Sequence, residues 1–200
     1  MSTELNETLS AEGLLDAIDF AFLPWGNTYY PQDDCPGQTV YNRTDGVPCW
    51  QEKCGTAGEQ PAACFSGAPL CQHGSDECAA DRYEACAFAV APTASASAFA
   101  YCLEAEGVDV SLAEKCAASA GVEWSALSAC SAGEQGDEVA VTVANATALF
   151  TWSTGAAWQG TPTVVLAGVP LSTTENLLAQ VCAQIEVSGA SKPAGCASTT

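Results

Sequence analysis

The 200-residue sequence predicts a single α/β domain whose two ends are separated by a long insertion. Three observations predict it. A helical pattern running into an apolar, aromatic run opens the chain, an apolar hairpin pattern followed by an amphipathic helix closes it, and the stretch between them holds ten of its twelve cysteines, from Cys35 to Cys130.

At the N-terminal end, SAEGLLDAI places Leu14, Leu15 and Ile18 on one helical face. The following FAFLPW, residues 20 to 25, reads as a buried strand. From 27 to 70 the composition shifts to Pro, Gly, Asp and Gln around Cys35, Cys49, Cys54 and Cys64 with little periodicity, the pattern of a loop-rich insertion held by two disulfides. From 77 to 152 the pattern is helical, with short alanine-rich segments separated by Gly, Pro or Ser. Gly107, Gly121 and Gly133 fall where helix C-termini want a residue free of a Cβ. Cys78, Cys86, Cys102, Cys116 and Cys130 are spread over these helices, so bridges between helices would staple faces that bury little area. Spacing alone does not give the connectivity. In the unit from 161 to 186, TPTVVLAGVPL predicts a hairpin about Gly168, with Pro170 confining its second strand to an edge. STTENLLAQVCAQI then predicts a helix opened by a Ser172/Glu175 capping box, with Leu178, Val181, Cys182 and Ile185 on its apolar face.

Charge narrows the function. Five Lys and Arg stand against 24 Asp and Glu, a net charge of −19 that repels nucleic acid and anionic membranes, so neither is an expected partner. An even count of twelve cysteines, with sequons at Asn6, Asn42 and Asn145, points to an oxidising secretory route and to possible glycosylation. No stretch approaches the roughly 18 to 20 apolar residues of a membrane span. The first twenty residues have neither the basic start nor the apolar centre of a signal peptide.

The densest chemistry is CQHGSDECAADRYEAC at 71 to 86, with three cysteines and the only histidine. A zinc site drawn from Cys49, Cys54, Cys64, Cys71 and His73 fits no recognised finger spacing, and in an oxidising compartment such thiols pair with each other, so no metal is expected. Cys71, Cys78 and Cys86 read as scaffold, and a lone His73 as a hydrogen-bonded structural residue. Tyr29, Tyr30, Trp50, Trp152 and Trp158 are candidates for a surface that meets unfolded substrates, although aromatic residues in such numbers more often pack a core.

The same stretch resembles the signature C-Q-H-G-x-x-E-C-x-x-N-x-x-x-x-C of the gamma-interferon-inducible lysosomal thiol reductase (GILT) family. Cys71, Gln72, His73, Gly74, Glu77, Cys78 and Cys86 match it, and Asp81 stands where the family has Asn. LPWGN at 23 to 27 is similar to the family's V-P-Y-G-N segment, and Cys102, Cys116, Cys130, Cys182 and Cys196 fall in its order. The resemblance implies a thioredoxin-like fold with a disulfide-rich helical insertion, in a lysosomal or extracellular protein. It also implies reduction of disulfide-containing protein substrates at low pH without a cofactor, and a cis-proline at Pro162.

That family works through a C-x-x-C pair at the end of the first strand, and this sequence contains no C-x-x-C. The nearest spacing, Cys49 to Cys54, lies in the loop insertion without a strand-to-helix context to activate it. The expectation is therefore a thioredoxin-like chain lacking its first strand and catalytic pair, starting at an internal methionine of a longer protein and inactive as it stands. A central strand's loss would leave its neighbours with unpaired backbone groups, at about 1 to 3 kcal/mol each. The alternatives are a non-catalytic, disulfide-rich secreted binding module whose 27–70 loop supplies the contacts, and a purely structural secreted domain.

Overall fold

The computed structural model describes residues 2–54, 61–153 and 161–197, with the side chains of Ser2 and of 149–153 excepted. Mostly helical, it carries a small two-stranded sheet and six disulfides. Three apolar clusters make its core, and each corresponds to a stretch of distinct composition.

The first cluster is the helical array. Here α4 (Ser75–Val90) packs against α5 (Thr93–Ala105), α7 (Trp124–Ala132) and α8 (Glu134–Ser153), while α6 (Ala113–Ala120) packs on α5. Alanines at 80, 87, 96, 113 and 117 let the helices approach closely around Phe99, Leu103 and Leu127, all fully buried. Because alanine faces bury little apolar area, covalent links reinforce them: Cys86–Cys130 joins α4 to α7 and Cys102–Cys116 joins α5 to α6. Gly121 ends α6 in the left-handed region at φ 70°, with the Val122 N–H closing back on Ala117 at 2.9 Å. Gly133 ends α7 differently. Its backbone is extended, and a Cβ there would lie 2.9 Å from the Ala129 carbonyl, so close approach and not handedness requires the glycine.

The second cluster belongs to the loop from 25 to 71. Trp50, on α3 (Gly46–Cys54), packs with Trp25, Tyr29, Tyr30 and Val47, and its indole N–H donates to the Cys64 carbonyl at 2.9 Å. The Tyr29 hydroxyl donates to the Gly37 carbonyl and accepts from the Asn42 N–H, folding the loop around one buried ring. Cys35–Cys49 and Cys54–Cys64 close the loop. Tyr29, Tyr30 and Trp50 are thus core side chains, at 0, 4 and 2% exposure. The Trp152 side chain and Trp158 lie outside the described residues.

The third cluster gathers the two ends of the chain. α1 (Ser2–Leu9) lies against α5 and α9 (Leu177–Val187), and Leu14 of α2 (Leu14–Ala17) is fully buried with Leu177, Val181 and Ile185. Cys182–Cys196 and a 2.8 Å bond from the Gly195 N–H to the Glu12 carbonyl seal it. The hairpin pairs β1 (Val165–Leu166) with β2 (Val169–Pro170) in antiparallel register, and turns through Ala167 and Gly168 with φ 50° and 82°.

Two expectations need correction. FAFLPW forms no strand: residues 19 to 23 have the alternation of one, with Phe20 and Phe22 turned onto Phe88 of α4 and Asp19, Ala21 and Leu23 exposed. Yet among the described residues no ladder joins either edge. The Ser172/Glu175 capping box also does not form. Hairpin bonding persists to Leu171, the Glu175 N–H turns to the Thr173 hydroxyl, and α9 starts only after Asn176 at φ 54°. Physically, a side-chain turn has taken the backbone donor that the helix cap would have used.

Candidate functional site

The signature stretch forms a loop that enters the N-terminus of α4. Gly74 precedes the helix at φ 98°, a conformation that disfavours any Cβ although the space around it is open. Glu77, in the first turn, reaches back to accept from the His73 N–H at 2.6 Å and meets His73 Nδ1 at 3.0 Å. His73 is thereby held at the surface, and the acidic first turn, Asp76 and Glu77, suits the positive end of the helix.

The loop is pinned to the chain's other conspicuous turn. Tyr29 and Leu70 exchange two backbone hydrogen bonds, at 3.2 and 2.8 Å, and the Asn27 amide donates to the Gln72 side chain at 2.8 Å. LPWGN and CQHG, 45 residues apart, therefore share one wall. The Thr161–Pro162 peptide bond is cis, and Thr161 lies against the same turn: a Cβ on Gly26 would sit 2.8 Å from its methyl group.

Between the two turns, α4 and α8 lies a cavity of about 370 Å³. Trp25, Tyr30 and Phe65 contribute aromatic lining, the Cys71–Cys78 disulfide and Asp81 line the α4 side, and Asp137 lines the α8 side. Arg82 also reaches it but is fully engaged. Its guanidinium donates to the Ser131 and Gly133 carbonyls and to Asp137, and Gly136 makes room for it, since a Cβ there would lie 2.6 Å from the guanidinium.

Beside the cavity lies a group of carboxyls whose one basic partner among the described residues is His73, at Glu77. Glu77, Asp81 and Glu84 recur at i, i+4 and i+7 on one face of α4, opposite Glu104 of α5. Burial, reinforced by Glu77 and Glu104, pushes the Asp81 carboxyl up to about 8 despite a hydrogen bond with Thr28. Glu84 is 1% exposed and its Oε1 has no hydrogen-bond partner. Burial first, then Glu104 and Asp81, raise its carboxyl well above the ordinary glutamate range. Burial and Glu77 also raise Glu104. Near neutral pH this face therefore holds protons, and protonated carboxyls are donors that carboxylates are not.

The twelve cysteines form six disulfides and leave no thiol free. Cys49, Cys54, Cys64 and Cys71 are thus unavailable as thiolate ligands, and His73 faces Glu77 alone. Cys78 bonds to Cys71 at the start of α4, whereas Cys86, two turns on, crosses to Cys130. Of the sequons, Asn6 lies in α1, Asn42 accepts from the Thr44 and Asp45 N–H groups ahead of α3, and Asn145 lies in α8 with its amide oxygen buried. Glu84, Glu104, Arg82 and Asp137 escaped the reading of the sequence. The i, i+4, i+7 carboxyl stripe in an alanine-rich helix was the available signal.

No curated protein matches the chain. Residues 47–120, from α3 through the signature loop to α6, match the family model for gamma interferon inducible lysosomal thiol reductase (GILT), and this match supports the GILT family for the chain.

Proposed function

We propose that these residues form the body of a GILT-like thiol–disulfide oxidoreductase that reduces protein disulfides in an acidic or secretory compartment. Its reactive C-x-x-C pair, and the strand that completes a thioredoxin-like sheet, would come from outside the 200 residues. The family match across the signature loop carries the reading. Two further observations support it. Every cysteine present is paired in a disulfide and no two stand in C-x-x-C spacing, and the backbone N–H and C=O groups of residues 19 to 22 pair with nothing among the described residues. Six disulfides fit an oxidising, non-cytosolic compartment. Carboxyls that hold their protons to high pH suit an acidic one.

In such an enzyme a low-pKa thiolate attacks a substrate disulfide, and its neighbour resolves the mixed disulfide. The aromatic-lined cavity beside the signature loop would hold the substrate chain near that pair. The test is reduction of insulin at about pH 5, driven by a small thiol, by this chain and by one extended upstream through an in-frame C-x-x-C. The extended form should be at least about a hundredfold faster, the scale of losing an activated nucleophile. Equal rates would overturn the reading and favour the disulfide-rich binding module, for which the same cavity is the contact site.

A further inference from the structure

The cavity contains a bond that its structural role does not explain well. Five of the six disulfides span 10 to 44 residues, whereas Cys71–Cys78 spans seven and therefore constrains the unfolded chain least. It is also the disulfide whose two cysteines both line the cavity. Cys71 is 4% exposed, while Cys78 is only half-buried, which makes Cys78 the more open of the two residues. One turn further along α4, at i+3 on the same face, Asp81 lines the same cavity. An accessible disulfide sulfur and a carboxyl one helical turn away are the parts that thiol–disulfide exchange in acid requires: an electrophile and a proton source for the departing thiolate.

We propose that Cys71–Cys78 is a thiol-exchange site in its own right, opened by a low-molecular-weight monothiol that enters the cavity, with Asp81 as the proton donor. The monothiol's sulfur, as thiolate, attacks the Cys78 Sγ. A new S–S bond forms to Cys78, the Cys71–Cys78 bond breaks, and its electron pair leaves on Cys71, which takes the Asp81 proton. A second monothiol attacks the first at its sulfur, and Cys78 departs as a thiolate that is protonated in turn through Asp81, recharged from water. Two monothiols are oxidised to one disulfide, and the protein's disulfide is reduced to two thiols.

The surroundings decide the pH range. Facing Asp81 are Glu77 on its own helix, Glu104 on α5 and the Thr28 hydroxyl, with Glu84 behind it. Arg82 and Asp137, also at the cavity, neutralise each other, and His73 is held by Glu77. No cation therefore stabilises an Asp81 carboxylate, and the group keeps its proton into neutral pH, held up to about 8. Below that value it is a donor. Above it, it becomes a negative charge that repels the attacking thiolate.

This inference does not rest on a C-x-x-C supplied from elsewhere, and its test fails separately from the insulin assay. The folded chain is titrated with cysteamine between pH 5 and 9, quenched in acid, alkylated with N-ethylmaleimide and mapped by peptide mass spectrometry. Cys71 and Cys78 should be labelled together at least about tenfold faster than the Cys35–Cys49 and Cys102–Cys116 pairs, which, like Cys71–Cys78, each join one buried and one half-buried cysteine and serve as controls within each molecule. Asp81→Asn preserves the shape and removes the proton. It should slow opening about tenfold or more at pH 5 to 7, the lower end of general-acid effects, and match or exceed the natural chain at pH 9. Opening of Cys71–Cys78 no sooner than the control pairs would overturn the proposal. So would an Asp81→Asn profile parallel to that of the natural chain.

Discussion

The helical array from 75 to 153 and the extended segment from 19 to 23 lie in contact through Phe88, yet they satisfy their backbones in opposite ways. A helix closes its own hydrogen bonds, so α4 needs only neighbours for its side chains, and α5, α7 and α8 provide them. A strand closes none alone. Phe20 and Phe22 have found an apolar surface, but the N–H and C=O groups along 19 to 22 have no partner among the described residues. Side chains can therefore pack onto an apolar surface where backbone pairing has not begun.

The largest expected contrast tests this difference directly. In native-state hydrogen exchange, amides at 20 to 22 should exchange at rates near those of an open chain, whereas those near Ala87, Phe99 and Leu103 should be protected by several orders of magnitude, as is usual for a packed core. Comparable protection in the two places would show that the segment has a strand partner after all.

A second measurement compares the covalent links of the array with those of the terminal cluster. Cys86–Cys130 spans 44 residues and Cys182–Cys196 spans 14. By loop entropy, replacing the first pair with alanines should cost about 4 kcal/mol and the second about 3. Urea unfolding of the two double variants reads the difference. A larger loss from Cys182–Cys196 would mean that the terminal cluster, with its smaller helical content, depends on its bridge more than chain entropy allows.

How much of this was legible in the sequence follows from what each element requires. The helices of the array were readable because their periodicity and glycine punctuation are local, and Gly107 and Gly121 do stop α5 and α6 in the left-handed conformation. FAFLPW was readable as a two-residue alternation, but the partner that makes an alternating segment a strand is not encoded within it. Ser172 and Glu175 have capping-box spacing, and only the hairpin's extension to Leu171 shows why the cap fails. At the candidate site the signature fixed attention on Cys71 to Cys86, but not on the carboxyl face. Glu84 looks like any surface glutamate of an alanine-rich helix until α5 covers it. That two disulfides hold the 27–70 loop was readable, and Cys35–Cys49 and Cys54–Cys64 do hold it, but the pairing itself was not, because it depends on which segments the fold brings together.

That buried face gives the smallest effect per step and the one most diagnostic of the array. Glu84 holds its proton in the folded chain at pH values where the unfolded chain has released it. Its contribution to stability is therefore full below the ordinary glutamate value, about 4.3, and is lost progressively as pH rises toward its folded value, at about 1.4 kcal/mol per pH unit. Asp81 adds the same sense between about 4 and its folded value of about 8. Repulsion within a chain of net charge −19 pulls the same way, so the slope of the natural chain alone would not identify the cause. Glu84→Gln separates them, because it removes one proton and leaves the other 23 acidic side chains in place. Urea midpoints at pH 5, 6 and 7 should fall with pH for both chains, with the variant's slope shallower by about 1.4 kcal/mol per unit. Parallel slopes would mean that Glu84 is already ionised in the folded chain and has a counter-charge that α4 and α5 do not supply.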